Sequence, residues 1–275
     1  MPELPEVEHI VRALGRAVTG RRIVGVDLKL KKLAAGSPST LIRKLRGAQI
    51  QSISRRGKFI LVNLESSHVL MVHLRMTGKF VCLSLDAQLP PYAHAIFYLD
   101  DDRRLVFCDM RQFGRMRIVA ASRLHKSKEL AGLAPEPLSD AFTLDHFRKT
   151  LARSRRTLKQ LLLDQTKVLG LGNIYAAEAL FLARISPFAP ADSLSKQRAL
   201  RLHTAIREII EEAIDCGSTL RIDLEDGDGS YFGTLERFWR VYEREGEPCV
   251  NCGARIRRVV HGGRSTYWCP RCQRR

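Results

Sequence analysis

Features that would indicate a membrane or exported protein are missing from this 275-residue chain. No apolar run approaches the roughly 18 residues that a membrane-spanning helix needs. The first ten residues, MPELPEVEHI, lack the basic and then apolar pattern of an export signal. Aromatic residues are scarce at 7%, but hydrophobic residues make up 45% of the chain, which excludes wholesale disorder. We therefore expect a cytoplasmic protein of about two domains.

Acidic residues are also in short supply. The chain has 29 Asp and Glu against 46 Lys and Arg, a formal net charge of +17. The excess is concentrated in residues 148–159, which hold six cations, and 249–275, which hold seven arginines; neither segment contains an acid. A solvated basic face is one interpretation, but locally unopposed runs favour a binding stripe. Because a polyanion relieves the self-repulsion, nucleic acid is a better candidate partner than an anionic membrane.

Four of the seven cysteines form two closely spaced pairs. Sixteen residues separate these Cys-x-x-Cys pairs, a spacing typical of a tetrahedral zinc site; they are Cys249 with Cys252 and Cys269 with Cys272. Two disulfides are the alternative, which a reducing cytosol disfavours. Four thiolates leave the ion no open position, so we predict one structural zinc on a β-hairpin with its tip at Gly262-Gly263. Three isolated cysteines are expected to be buried thiols: Cys82, Cys108 and Cys216.

Apolar periodicity divides the chain into a β-rich part and a helical part. Residues 1–18 predict a helix, and Asp100–Asp102 a hairpin turn rather than a metal site. Between about 22 and 120, short apolar runs predict an antiparallel β-sandwich, the clearest at 59–64, 69–74, 80–85, 95–99 and 104–108. The Pro-rich segment 132–139 ends this pattern. Helices are predicted beyond it at 140–152, 157–165, 173–183 and 195–215, the last ending at Gly217.

The fold class is therefore α+β. We expect an N-terminal antiparallel β-sandwich with flanking helices over residues 1–132. A helical domain is predicted to follow over 133–240, and a C-terminal four-cysteine zinc ribbon over 241–275.

Three further segments leave their function open when the residues are considered alone. The turn 170–173 (GLGN) precedes a helix and fits either an ordinary inter-helix turn or a phosphate site. The nearby cationic run favours the phosphate site. The acidic segment 223–234 lacks the glycine and the closing acid of a calcium loop, so a glycine loop is predicted there. At the N-terminus, Pro2 would be a nucleophilic secondary amine if Met1 were removed, although the pattern alone favours a simple helix start.

Several separated motifs occur here in one order. They are residues 2–8 (PELPEVE), 57–58 (GK), 73–78 (HLRMTG), 109–114 (DMRQFG), 132–138 (GLAPEPL), 170–176 (GLGNIYA) and the terminal four-cysteine hairpin. Over its whole length the chain resembles the bacterial formamidopyrimidine-DNA glycosylases, which are base-excision enzymes for oxidised purines. Leu4, where the related endonuclease VIII group usually has glycine, favours the purine-specific branch.

The resemblance implies catalytic roles for five residues. Pro2 would attack C1′ of the damaged nucleotide, displacing the base and leaving a Schiff base. Glu3 would be the acid and base that assists sugar-ring opening, with Glu6 in support. Lys58 would serve the β-elimination. Arg264, on the zinc hairpin, would hold the phosphate that leaves in the δ-elimination.

The resemblance also implies a DNA-binding set. A base must leave the duplex before its glycosidic carbon can be reached, and three side chains would fill the vacancy: Met76, Arg111 and Phe113. Arg111 would offer donors to the unpaired cytosine, and Phe113 would wedge between bases. Contacts with backbone phosphates are expected from Asn173, Lys58, Arg264, His94 and Arg155. The segment 218–234 would close over the everted base.

The implied partner is double-stranded DNA that contains oxidised purines or abasic sites, lying in a cationic cleft between the two halves. The implied protein is a monomeric glycosylase and lyase with a helix-two-turns-helix motif, one structural zinc and no redox or nucleotide cofactor, located with the nucleoid in the bacterial cytoplasm. Two alternatives stay open: a family member that prefers oxidised pyrimidines, and a non-catalytic zinc protein that only recognises damaged DNA. The intact Pro2-Glu3 pair argues against the second.

Overall fold

A computed structural model of the chain describes residues 1–216, Leu224 and 239–274, with Cys216 described by its backbone alone. These residues form two compact units. The first runs from Met1 to Ala131 and includes Leu224, and the second runs from Gly132 to Cys216 and resumes at Trp239. Among the helices of the described residues, none is long and apolar enough to cross a membrane.

The first unit begins with helix α1 (Leu4–Val18), as residues 1–18 predict. Its apolar stripe, which includes Val7, Ile10 and Leu14, is buried in the core of this unit. The chain then passes through the shorter helix α2 (Pro38–Leu45), whose N-cap is Ser37. The two helices flank the sheets, in agreement with the predicted architecture.

Two four-stranded sheets build the rest of this unit, and every neighbouring pair of strands is antiparallel. The first sheet has the order β1 (Ile23–Leu28), β6 (Ala93–Leu99), β7 (Arg103–Asp109) and β5 (Gly78–Ser84). The second has the order β2 (Ile50–Arg56), β3 (Phe59–Leu64), β4 (His68–His73) and β8 (Arg115–Ala120). The predicted sandwich is therefore confirmed, and Asp102 (φ 60°) turns the β6–β7 hairpin as expected.

The second unit contains the four predicted helices: α3 (Leu144–Ala152), α4 (Leu158–Leu162), α5 (Asn173–Leu182) and α6 (Lys196–Cys216). Helix α3 begins later than predicted because the Thr143 hydroxyl accepts the His146 N–H and caps it there. The buried Glu178 carboxylate of α5 accepts three backbone N–H groups, those of Arg240, Val241 and Tyr242. This contact anchors the segment that leads into the C-terminal ribbon.

The C-terminal hairpin pairs β9 (Arg257–His261) with β10 (Arg264–Trp268). Its two-residue turn is Gly262-Gly263, as predicted, and both glycines have positive φ, at 59° and 73°. The hairpin packs on α4, where Lys159 Nζ donates to the Ser265 carbonyl at 2.6 Å and to Thr266 Oγ1 at 2.7 Å. Lys159 is fully buried, and burial followed by the charge of Arg264 lowers its pKa to about 8.

Candidate active site and nucleic-acid interface

The N-terminal residues are held by the first turn of α1. Glu3, which is 3% exposed, is the N-cap of the helix. A reciprocal capping box fixes it, because the Glu3 N–H donates to Glu6 Oε2 at 2.8 Å while the Glu3 side chain accepts the Glu6 N–H. Pro2 directly precedes this fixed residue and is itself buried. The Glu6 carboxylate therefore positions Glu3 by accepting the Glu3 backbone N–H.

Lys58 lies at the β2–β3 turn, where Gly57 has φ 55° and Lys58 is 6% exposed. Arg55 connects this turn to α1, since its Nε donates to Glu8 Oε2 at 3.0 Å and its Nη1 to the Gly57 carbonyl at 3.2 Å. Burial alone would raise the pKa of Glu8, but Arg55 and Arg12 more than offset it, so the pKa lies below its ordinary value. Glu8 stays charged and keeps the Lys58 turn tied to the helix that carries Glu3.

Met76, Arg111 and Phe113, here called the void-filling set, lie on two loops that the structure brings together. Met76 is on the β4–β5 loop, and the other two residues are on the β7–β8 loop. Met76 is 41% and Phe113 49% exposed, and Arg111 is also exposed. Arg111 Nη1 lies 3.5 Å from Met76 Sδ, and its guanidinium carbon is 5.1 Å from the centre of the Phe113 ring. Exposed apolar side chains at such a cluster suit insertion between bases.

Two polar residues without a predicted role hold these loops. Asp109, 1% exposed at the end of β7, accepts hydrogen bonds from the Thr77 hydroxyl and from the Gly114 N–H. Thr77 Oγ1 in turn accepts the Arg111 N–H at 3.0 Å. Asp109 and Thr77 both lie within the motifs that carry the family resemblance. That position is the one feature of the sequence from which their role could have been predicted.

His73, at the end of β4, is a further residue without a predicted role. Its Nδ1 accepts the Arg75 N–H at 3.0 Å, and Arg75 has the left-handed φ of 58°. Burial, followed by the charges of Arg75 and Lys58, lowers the pKa of His73 to about 3. The imidazole is therefore neutral at physiological pH and keeps the acceptor on which the start of the Met76 loop depends.

The expected phosphate contacts lie in both units. In the first, His94 Nε2 is 3.0 Å from the Asp109 carbonyl oxygen. In the second, Asn173 is the first residue of α5, where Gly170 (φ 87°) turns the chain into the helix, and its buried Oδ1 has no hydrogen-bond partner among the described residues. Arg155 and Arg264 are exposed, on the α3–α4 connection and at the start of β10. Their roles stay predictions.

The four paired cysteines converge as a metal site requires. Their Sγ atoms all lie within 4.8 Å of one another, with Cys249 to Cys272 at 3.8 Å and Cys252 to Cys269 at 3.5 Å. A tetrahedral Zn²⁺ with bonds of about 2.3 Å separates its sulfur ligands by about 3.8 Å, so the donor set fits the ion. The site binds one structural zinc. The isolated cysteines were expected to be buried thiols, which is confirmed for Cys82 and Cys108. The Cys216 side chain is outside the described residues.

The acidic segment 223–234 and the proposed closing segment 218–234 lie outside the described residues, apart from Leu224. Leu224 is 4% exposed in the core of the first unit, and its carbonyl accepts the Cys82 N–H at 2.6 Å.

Comparison with known families matches three successive parts of the chain. Residues 1–116 match the formamidopyrimidine-DNA glycosylase N-terminal domain, residues 133–223 the H2TH domain of the same glycosylase, and residues 246–275 a zinc finger found in FPG and IleRS. The chain belongs to the formamidopyrimidine-DNA glycosylase family.

Relatives of the same length agree with this assignment. The formamidopyrimidine-DNA glycosylase of Heliobacterium modesticaldum is 43% identical over 278 residues, with all of both chains covered. The enzyme of the same name from Bacillus licheniformis is 41% identical, again with both chains fully covered. Among solved structures, Lactococcus lactis Fpg in complex with DNA containing an abasic site has a TM-score of 0.91 at 34% identity, covering 99% of this chain and 100% of that one.

Proposed function

We propose that this chain is a bifunctional base-excision repair enzyme, a DNA glycosylase and abasic-site lyase that removes oxidised purines such as formamidopyrimidines and 8-oxoguanine. One observation carries the proposal: Pro2 and Glu3 lie together at the capped start of α1, in a chain of which three successive parts match family models. The related Lactococcus protein has been solved with DNA containing an abasic site and with DNA containing Fapy-dG. We propose that this enzyme acts with the nucleoid in the bacterial cytoplasm, where its DNA substrate would lie.

The first chemical step belongs to Pro2. While Met1 is attached, the Pro2 nitrogen is an amide and cannot act as a nucleophile, so the reaction requires that Met1 be removed. The freed secondary amine attacks C1′, and the C1′–N bond to the damaged base breaks. The base leaves with the bonding electron pair and takes up a proton, while the amine loses its own proton, so the charges balance. Glu3 gives a proton to the sugar-ring oxygen as the ring opens, which leaves an iminium between Pro2 and C1′.

The later steps use the electron-withdrawing power of that iminium. Loss of a proton from C2′ expels the 3′ phosphate, and a second elimination expels the 5′ phosphate. The buried Lys58 in the β2–β3 turn is proposed to serve the first elimination. The exposed Arg264 is proposed to hold the phosphate that leaves in the second, because a guanidinium binds phosphate in a bidentate manner. The zinc ion, closed by four thiolates, keeps the hairpin that carries Arg264 folded.

Borohydride trapping tests this function. Reduction of the iminium should join the chain covalently to a duplex containing 8-oxoguanine and not to an undamaged duplex. Proteolysis should place the DNA on the N-terminal peptide that begins at Pro2, and mass analysis of that peptide shows whether Met1 has been removed. Glu3→Gln keeps a side-chain oxygen for the capping box, so it should retain binding but lose about 10²–10⁴-fold in excision; Glu65→Gln, at an exposed glutamate, is the matched control. An adduct on Lys58 would contradict the mechanism.

The same assay separates the two substrate classes of the family. A Lactococcus lactis Fpg structure contains DNA with an oxidised pyrimidine, so a thymine-glycol duplex should be compared with the 8-oxoguanine duplex. We expect faster excision of 8-oxoguanine. Preference for thymine glycol would favour the pyrimidine alternative, and binding without any adduct would favour the non-catalytic one.

A further inference from the structure

One buried carboxylate joins the two loops that carry the void-filling set. Asp109 Oδ1 accepts the hydroxyl proton of Thr77, which belongs to the β4–β5 loop. Its Oδ2 accepts the N–H of Gly114, at the end of the β7–β8 loop, at 2.7 Å. Because each carboxylate oxygen accepts one of these hydrogen bonds, the single side chain closes both loops at once.

Thr77 passes this contact on to Arg111. Since its hydroxyl gives the proton to Asp109, the oxygen lone pairs are left to accept the Arg111 N–H, at 3.0 Å. The next residue, Gln112, has the left-handed φ of 56° and donates its N–H to the Asp109 carbonyl at 3.1 Å. The backbone that presents Arg111 is therefore fixed on both sides by the same pair of residues.

The packing beneath the loops points in the same direction. A Cβ atom at Gly114 would lie 2.7 Å from the Phe107 ring and 3.1 Å from Asp109 Oδ2, and one at Gly78 would overlap the Leu74 carbonyl and lie 2.9 Å from the same ring. The two loops therefore rest on one buried aromatic side chain. Neither glycine can be replaced without moving the loop that it ends.

We propose that Asp109 and Thr77 are positioning residues that lock the two loops into one body, so that Arg111 reads the base opposite the lesion from a fixed orientation. The inference rests on the proposed function, because it assumes that the void-filling set enters the DNA. Its physical basis is pre-organisation: an exposed arginine that is already oriented loses less freedom when it meets a base.

Thr77→Val tests the proposal, because valine keeps the shape of threonine and lacks the hydroxyl. The measured quantity is the ratio of excision rates for 8-oxoguanine opposite cytosine and opposite adenine. We expect the ratio to fall by about two- to tenfold, the equivalent of one net hydrogen bond. Thr77→Ser keeps the hydroxyl and should keep the wild-type ratio. Thr204→Val, at an exposed threonine on α6, is the matched control. An unchanged ratio in Thr77→Val overturns the proposal.

A double-mutant cycle shows whether the effect passes through Arg111. In an Arg111→Ala background, Thr77→Val should lower the ratio no further, because the side chain that it orients is gone. A further loss equal to that in the wild-type background would mean that Thr77 acts independently of Arg111, which overturns the proposal.

Two measurements separate this proposal from general damage and from failure of the proposed function. An abasic site in single-stranded DNA has no opposite base to read, so borohydride trapping of Thr77→Val should proceed there at the wild-type rate. Because the buried Asp109 carboxylate loses one partner, the melting temperature should fall, but the variant should stay folded at the assay temperature. Equal losses on both substrates would indicate general damage to the fold and overturn the inference. A wild-type chain that excises no lesion overturns the proposed function as well, whereas normal wild-type excision with an unaffected Thr77→Val ratio overturns only this inference.

Discussion

At the scale of single residues, the first unit depends on polar side chains that each hold one hydrogen-bond pattern. Glu3 and Glu6 close the start of α1, and Asp109 closes the two loops of the void-filling set. His73 belongs with them, because its neutral imidazole accepts the Arg75 N–H at the start of the Met76 loop. Each of these groups is buried or half-buried, so a missing partner could not be replaced cheaply by water.

The titration of His73 gives a pH prediction. Its pKa of about 3 in the folded chain lies below the ordinary value of 6.5, so between these values the unfolded state binds more protons. The free energy of unfolding should therefore fall as the pH is lowered through that window, by up to about 1.4 kcal/mol per pH unit. His73→Asn keeps an acceptor for the Arg75 N–H but does not titrate, so urea unfolding between pH 6.5 and 5 should show a shallower pH dependence.

His68→Asn is the control for this prediction, because His68 lies at the other end of the same strand. It should keep the wild-type pH dependence. Equal slopes for His73→Asn and the wild type would show that His73 does not carry the effect.

At the scale of elements, the zinc hairpin joins metal binding to DNA binding. The hairpin carries Arg264 at the start of β10 and is fixed to α4 by Lys159. A short two-stranded hairpin is only marginally stable by itself, so its shape depends on the ion and on this packing. Loss of a zinc ligand should therefore disturb a surface several residues away in sequence.

Cys269→Ser tests this dependence. We expect the purified variant to lose its zinc, from one ion per chain in the wild type, and to bind a damaged duplex about tenfold or more weakly. Elemental analysis and a DNA-binding titration measure the two effects. Cys108→Ala, at a buried thiol of the first unit, should retain both properties. Full DNA affinity in metal-free Cys269→Ser would mean that the hairpin does not need the ion.

The elements that could be predicted from sequence are those with strong local patterns. The five apolar runs became strands with bounds within two residues of the prediction, and all four helices after residue 132 are present. Strands β1, β2 and β8 were not among the clear apolar runs because polar or charged residues interrupt them, as Arg115 and Arg117 interrupt β8. Helix α4 ends at Leu162, earlier than predicted, since Asp164 accepts the Thr166 N–H and turns the chain.

Site residues could be predicted from the sequence only where they belong to a local motif with a recognisable function. The zinc cysteines have a diagnostic spacing, and the remaining site residues came from resemblance. Asp109 and Thr77 are 32 residues apart, and their hydrogen bond exists only because β5 and β7 pair in the folded sheet. Sequence alone also could not tell which cations of the basic run 148–159 are exposed. Five of them are, but Lys159 is buried and donates to the hairpin.

At the scale of the whole molecule, the net charge of +17 is spread over both units. In the first unit the exposed Arg111 lies on the β7–β8 loop. In the second, exposed arginines lie on the α3–α4 connection and at the start of β10. Phosphate contacts position a protein on DNA while base contacts specify the sequence, so most of this charge should act on affinity and little on the choice of opposite base.

Salt dependence should separate the arginines that meet phosphate from those that only add to the net charge. Each phosphate contact contributes about 0.9 to the slope of log affinity against log salt concentration, so Arg264→Ala and Arg155→Ala should each flatten the slope by about that amount. Arg43→Ala, at an exposed arginine of α2 that is not among the predicted contacts, removes the same charge and should leave the slope unchanged. Binding titrations measure all three variants on a duplex with a tetrahydrofuran in place of the abasic site, which the lyase cannot cleave. The salt concentration should run from about 50 to about 200 mM, where the counterion effect is large. If Arg43→Ala flattened the slope as much as Arg264→Ala did, net charge alone would explain the affinity, and the assignment of Arg264 to a phosphate would be wrong.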